Sequence, residues 1–167
     1  HNDEPDPGTT NIITNKTYKD AYVSYFMMKE EYELENTVLN NFFEDTLQKN
    51  FNFLNKILEL LLVDLFTGAK VEIIIKGYAS PLHDSEYNQK LSQRRISSAI
   101  NYIVQFKNGE FKQYISSKNL VIKQLPYGEK KSSENVSSDG KDKKKSVYSN
   151  GAILERKIQI VSVSLSK

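Results

Sequence analysis

The sequence contains no cysteine, which excludes disulfide frameworks, thiolate zinc sites and cysteine nucleophiles. Histidine occurs only at His1 and His83, too few for a multi-histidine metal site, so we expect neither a metal nor a cofactor. Neither sign of charge is in large excess: the chain has 23 lysines and arginines and 21 aspartates and glutamates, for a formal net charge of +2. This balance argues against attraction of the whole protein to nucleic acid or to an anionic membrane.

Long hydrophobic runs are absent as well. The most apolar run, Ile57 to Phe66, is short and contains Glu59 and Asp64, whereas a membrane-spanning helix needs about 20 apolar residues. No signal peptide is visible, but the chain begins at His1 and not at methionine, so we interpret it as a processed protein or an excised fragment. Residues 1–167 are enough for a single domain with its own core.

The first part of the chain is predicted to be extended and then helical. Residues 1–17 are polar and rich in turn formers, with a short strand possible at Asn11–Thr14. Apolar residues then recur at helical spacing over 18–68, which predicts an N-terminal helical insertion. Its helices are predicted to begin at Tyr18, after Asn36 or Thr37 as the N-cap, and at Phe51, with Asn50 and Asn52 breaking the second helix and Gly68 ending the third.

Residues 69–165 are predicted to form the core, because strand and helix patterns alternate there. The predicted elements are a strand at Val71–Gly77, a helix at Glu86–Phe106, a short helix at Phe111–Ile115, a strand at Leu120–Leu125 and a strand at Glu155–Leu165. The first strand is predicted to be interior, because both of its faces carry apolar residues. The last strand changes phase, which indicates a β-bulge near Ile160 or burial on both faces. Residues 128–146 have almost no large apolar side chains and are predicted to be a long mobile loop.

This order predicts an α+β fold. We expect a two-layer sandwich, with a mixed sheet of three or four strands covered by helices mainly on one face.

No part of the sequence combines a nucleophile, a base and an oxyanion site in a recognisable motif, so the chain is predicted not to be an enzyme.

The stretch from Val71 to Tyr102 carries the most information about function. A β-branched strand ends in glycine, a polar loop follows, and the next helix carries Tyr87-Asn88, Leu91-Ser92 and Arg95. This pattern resembles the OmpA-like peptidoglycan-binding domain, in which a strand ends in G-H-T-D and the next helix carries Y-N-x-x-L-S-x-x-R-A.

Weaker matches extend the resemblance over Lys70 to Ile160. They are Tyr127-Gly128-Glu129, which is similar to the family's G-Y-G-E-S turn, and Glu155–Ile160, which is similar to its final N-R-R-V-E-I strand. Two further segments, Asp3–Pro7 and Gly77–Leu82, resemble a Bacteroidetes-type branch of the family that has a long helical insert.

The resemblance implies a non-catalytic module that binds the diaminopimelate residue of the peptidoglycan stem peptide. Such a module would anchor an outer-membrane or periplasmic protein to the cell wall, so the expected location is the periplasm, attached to the outer membrane. In the family, the arginine that matches Arg95 binds the diaminopimelate carboxylate, which suits a planar fork of donors. Helical spacing places Arg95 beside the apolar stripe and Arg94 on a solvated face. Alternatively, Arg95 pairs with a nearby carboxylate or carbonyl and only holds the loop.

The family's pocket matches residues on the loop and on the start of the helix, namely Tyr78, Ala79, Ser80, Leu82, Asn88 and Leu91. Ser80 stands where the family has the aspartate that pairs with the diaminopimelate ammonium, and a serine brings no charge. Asp84 and Glu86 are possible acidic substitutes. Both also suit the start of a helix, because acidic residues are favourable there and Asp84 or Ser85 is predicted as the N-cap.

These departures leave a second hypothesis open. The chain would keep the OmpA-like fold without peptidoglycan binding and would act as a protein-interaction or scaffold module in a cell-envelope complex. A filled pocket together with an exposed apolar patch on the insertion would favour this alternative. The expected partners are therefore peptidoglycan or other envelope proteins, and not nucleic acid.

Overall fold

The computed structural model describes residues 23, 26–28, 40–128 and 136–166. The strand predicted at Asn11–Thr14, most of the helix predicted from Tyr18 and the N-cap predicted at Asn36 or Thr37 lie outside these residues. The elements, in chain order, are a π-helical segment (Asn41–Leu47), α1 (Gln48–Phe66), β1 (Lys70–Gly77), α2 (Ser85–Gly109), α3 (Phe111–Ser116), β2 (Leu120–Pro126), a π-helical turn (Lys144–Tyr148), α4 (Asn150–Glu155) and β3 (Ile158–Ser166).

The described strands form one mixed sheet with β1 in the centre. β2 pairs with β1 in parallel and β3 pairs with it in the antiparallel direction, which gives the order β2-β1-β3. The parallel pair is connected through α2, as a parallel connection requires a long crossover. The predictions of an α+β fold, a mixed sheet and an interior first strand are therefore confirmed.

The core lies between the helices and one face of this sheet. Alternate residues of β1 are buried there (Val71, Ile73 and Ile75), and leucines of α1 and isoleucines of α2 pack against them. Phe111 at the start of α3 is fully buried in the same cluster. Burying one such side chain contributes about 1.5–3 kcal/mol. This layer fixes the position of α2, which carries most of the predicted site.

The bulge predicted in the last strand is present. Ile74 pairs with Ser162 and Ile75 with Ile160, so Val161 is an extra residue in β3. Most of β3 is exposed, Leu165 by 54%, so the alternative of a strand buried on both faces is wrong.

The asparagines at positions 50 and 52 do not interrupt the helix, contrary to the prediction. The chain is helical from Asn41 to Phe66, first as the π-helical segment and then as α1. Both asparagines are exposed, and Asn52 Oδ1 accepts a hydrogen bond from Gln48 Nε2 at 2.9 Å along the helix surface. The amide side chain is therefore engaged one turn away and does not compete for the backbone.

The long loop and the start of the last strand also differ from the prediction. Within 136–148, Val136 and Ser146 are buried, and Lys144–Tyr148 is a helical turn. The helix α4 was not predicted; its N-cap is Ser149, whose hydroxyl accepts a hydrogen bond from the Ala152 N–H at 3.2 Å. β3 consequently begins at Ile158 and not at Glu155.

Tyr102 connects the two long helices and provides a pH-dependent test of their packing. Its hydroxyl donates to Asn55 Oδ1 at 2.5 Å, and burial raises the pKa of Tyr102 above the ordinary value of 10.0. A raised folded-state pKa gives stability that is complete below the unfolded-state pKa and is lost as the pH rises through the folded-state pKa. We expect Tyr102→Phe to be about 1 kcal/mol less stable at neutral pH. This difference should shrink in urea unfolding experiments above about pH 10, and a difference that stays constant would contradict the assignment.

Candidate functional site

The carboxyl end of β1 lies directly against α2. A Cβ atom on Gly77 would stand 2.4 Å from the Ser92 carbonyl oxygen and 2.8 Å from Ile96 Cγ1. Only glycine allows the strand and the helix backbone to approach this closely. The glycine that the sequence placed at the end of the strand therefore sets the distance between the two elements.

The turn after β2 is hydrogen-bonded to the same end of β1. The Tyr127 N–H donates to the Gly77 carbonyl at 2.9 Å, and the Ala79 N–H donates to the Gly128 carbonyl at 2.8 Å. The Gly128 N–H in turn donates to the hydroxyl oxygen of Ser92, a fully buried residue of α2, at 3.1 Å. Gly128 has φ +60°, a left-handed conformation that glycine adopts without strain.

The segment that leads into β3 joins the same site, because the Tyr78 N–H donates to the Lys157 carbonyl at 3.0 Å. The four segments on which the sequence resemblance depends are thus held together at one end of the sheet: the end of β1, the start of α2, the turn after β2 and the start of β3. They are separated by up to about 80 positions in the sequence, so local sequence preferences alone do not bring them together.

The loop between β1 and α2 is fixed by the start of the helix. Asp84 is the N-cap, and its Oδ1 accepts a hydrogen bond from the Tyr87 N–H at 2.8 Å, as the sequence predicted. Asn88 is fully buried, and its Nδ2 donates to the His83 carbonyl at 2.7 Å. Asn88, which matches the family's asparagine, therefore holds the loop by a side-chain bond to the loop backbone.

Arg95 reaches the end of β1 from the buried side of α2. It is 8% exposed, and its Nη1 donates to the Tyr78 carbonyl at 2.6 Å. The predicted helix face is confirmed, since Leu91 one turn before it is also buried. Arg94 lies over the Tyr87 ring at 5.3 Å and is half-buried, so the prediction of a solvated face for Arg94 is wrong in part. The sequence left two roles open for Arg95, binding a ligand carboxylate or holding the loop. The structure contains the hydrogen bond to a loop carbonyl that the second role requires.

The loop residues matched to the family's pocket are themselves largely buried. Ala79 and Ser80 are buried, and Leu82 is half-buried. Both candidate acids are engaged in other interactions, Asp84 as the N-cap and Glu86 in an ion pair with Lys90 at 2.6 Å, which raises the pKa of Lys90. The loop whose Tyr78 carbonyl accepts from Arg95 is therefore packed against the rest of the domain.

The side chain of Tyr78 is not part of the Arg95 site and lies with a second group of residues on the other face of the sheet. It continues the alternation of β1 on the face opposite the helices, where its ring lies 5.8 Å from that of Tyr127. Lys157 Nζ lies 5.4 Å from the Tyr78 ring centre, and Lys76 Nζ lies 4.8 Å from that of Tyr127. We call these four residues the lysine–tyrosine cluster. The sequence analysis missed it, although Lys76 and Tyr78 have the same strand parity.

Other kinds of site find no support in the described ranges. They contain no group of three or more metal-ligating side chains, and none of their helices is long and apolar enough to cross a membrane. A groove of about 350 Å³ between α1 and the α2–α3 region is lined by residues such as Leu62, Phe66 and Tyr114, and Arg95 is not among them.

Comparison with known proteins gives no further assignment. No protein-family model, no curated protein and no solved structure matches the chain. The residues at the end of β1 are therefore the basis for a functional proposal.

Proposed function

We propose that this domain is a non-catalytic module that binds peptidoglycan at the carboxyl end of β1, with Arg95 holding the diaminopimelate carboxylate of the stem peptide. The observation that carries the proposal is the convergence of four distant, motif-bearing segments at the end of β1, where the buried Arg95 donates to the Tyr78 carbonyl. An arginine is seldom buried unless it has a defined partner, and its guanidinium suits a carboxylate. The module would tether an envelope protein to the cell wall in the periplasm.

Binding requires an exchange of hydrogen-bond partners. The ligand carboxylate would take the place of the Tyr78 carbonyl at Arg95 Nη1, because two opposite charges add a Coulombic attraction that a neutral carbonyl lacks and a carboxylate can accept two parallel bonds from the guanidinium. Ala79 and Ser80 are buried, so the loop must shift to admit the ligand. The cost of this shift and the uncharged Ser80 both lower the affinity, because the diaminopimelate ammonium gains a hydrogen bond to a neutral hydroxyl and no ion pair with a carboxylate.

The decisive test compares two stem peptides by calorimetry. Diaminopimelate carries a side-chain carboxylate that lysine lacks, whereas both carry an ammonium group. We expect saturable binding of the diaminopimelate muropeptide and at least about tenfold weaker binding of the lysine counterpart, since one charge-assisted hydrogen bond is worth about 1.5–3 kcal/mol. Equal affinity for the two peptides would contradict the role of Arg95, and no binding by the folded domain would overturn the proposed function.

A second candidate function is a protein-interaction module of an envelope complex. Two observations favour it. The loop matched to the family's pocket is packed, with Ala79 and Ser80 buried and Arg95 bonded to the Tyr78 carbonyl. In addition, α1, which lies in the predicted insertion, carries the exposed apolar side chains Phe53, Leu60, Val63 and Phe66, the last of them 83% exposed. Contiguous apolar surface of this kind often marks an interaction site. A folded domain that binds no muropeptide would favour this function over the first.

A further inference from the structure

The lysine–tyrosine cluster is a row of cations and rings across the end of the sheet. Lys157 lies over Tyr78, the Tyr78 and Tyr127 rings are tilted by 31° to each other, and Lys76 lies over Tyr127. Each ammonium is within about 6 Å of a ring centre, the range of cation–π attraction. The row lies on the face opposite the helices, because Lys76 alternates with the buried Ile75 and Gly77.

The two ammonium groups have no carboxylate partner in the part of the chain that the structure describes. The acidic residue of β1 on this face, Glu72, is paired with Lys123 at 2.8 Å. The cluster therefore offers positive charge next to half-buried aromatic rings. This combination is complementary to a ligand with carboxylate or carbonyl oxygens attached to rings whose C–H faces can pack on tyrosine.

We propose that the lysine–tyrosine cluster binds the amino-sugar part of the same peptidoglycan fragment whose stem peptide reaches Arg95. This inference rests on the proposed function. Tyr78 connects the two sites, because its carbonyl accepts from Arg95 on the helix side and its ring belongs to the cluster on the other side. In this proposal, a peptide whose carboxylate is held at Arg95 has its attached sugars at the edge of the sheet where the cluster lies. Lys157 is exposed and is able to leave the ring of Tyr78 for a ligand oxygen.

The test titrates the folded domain with the diaminopimelate stem peptide alone and with the same peptide carrying its disaccharide. We expect the disaccharide to increase the affinity of the wild type about tenfold, as packing on an aromatic ring is worth about 0.5–1.5 kcal/mol and the ammonium contacts add to it. In Tyr127→Leu this gain should disappear, while the affinity for the peptide alone stays within about twofold of the wild type.

Two charge variants complete the comparison. Lys157→Gln should lose about threefold of the disaccharide gain, because its shorter, neutral side chain cannot make the ammonium contact to a sugar carbonyl oxygen. Lys123→Gln, on the same face but outside the cluster, should keep the full gain. Thermal unfolding of each variant checks that the domain is folded.

The outcomes separate this inference from the proposed function. Equal wild-type affinity for the two ligands, or a loss in Tyr127→Leu that is the same for both, would overturn the inference and leave the Arg95 site in place. Binding of only the disaccharide-bearing ligand would support the cluster and overturn the role of Arg95. Binding of neither ligand would overturn both.

Discussion

Replacing Arg95 by alanine is expected to lower the affinity for a diaminopimelate muropeptide by at least about 100-fold, since removing one partner of a buried charged hydrogen-bond pair typically costs 2–5 kcal/mol. Arg95 is the buried cation at the end of β1, and the proposed ligand carboxylate depends on it. Calorimetric titration measures the loss directly. Arg94→Ala is the matched control, because its guanidinium lies over the Tyr87 ring, and this variant should bind within about threefold of the wild type.

The same residue also contributes to stability, and the two roles need separate measurements. Loss of the bond to the Tyr78 carbonyl should destabilise Arg95→Ala by about 1.5–3 kcal/mol in urea unfolding. Arg95→Lys keeps the positive charge and can still donate to the carbonyl, but it lacks the planar fork. We expect it to recover most of the stability and only a minor part of the affinity. Full muropeptide affinity in a folded Arg95→Ala variant would show that the arginine serves the loop alone.

Replacing Gly77 by alanine is expected to destabilise the fold by about 3 kcal/mol, at the upper end of the usual cost of overpacking. The added methyl group would stand 2.4 Å from the Ser92 carbonyl oxygen, a backbone atom in the middle of α2 that cannot move without the helix. The end of β1 and α2 must therefore separate. Because the Gly77 carbonyl also accepts from the Tyr127 N–H, the turn after β2 should move as well, and muropeptide affinity should fall.

Gly68→Ala distinguishes crowding from backbone strain. Gly68 has φ +95°, but a Cβ atom there would meet nothing within 4 Å, so only the unfavourable conformation is added. Its expected cost is about 1–2 kcal/mol, and its muropeptide affinity should stay unchanged. Urea unfolding of both variants gives the comparison. If Gly77→Ala were no less stable than Gly68→Ala, the close contact between β1 and α2 would not be a constraint on the fold.

Local signals in the sequence were sufficient for most elements. β-branched alternation identified β1, the observed helix cap Asp84 was one of two predicted, and the bulge was one of two explanations for the change of phase in the last strand. The long helix was predicted to end at Phe106, and the chain leaves helical conformation between Phe106 and Asn108. These features depend on residues within a few positions of one another, so the amino-acid order alone carries them.

The elements that were missed or misplaced are those whose local signals compete. Asn50 and Asn52 are poor helix formers, yet packing of the leucine face of α1 outweighs a propensity cost of less than about 1 kcal/mol for each. The helix α4 is only six residues long and was not predicted, and its last residue, Glu155, was assigned to the adjacent strand. Short apolar runs do not distinguish a helix from a strand.

The state of the candidate site was decided by the tertiary structure. The sequence by itself determined that an arginine follows a Tyr-Asn pair on a helix after a glycine-ended strand, and that Ser80 is uncharged. It did not determine that Arg95 donates to a carbonyl 17 positions away, that Ser92 accepts from Gly128 36 positions away, or that two tyrosines and two lysines form a row on the opposite face. These contacts join segments that approach only when the helices pack on the sheet, because burial of the shared core and not local backbone preference brings them together.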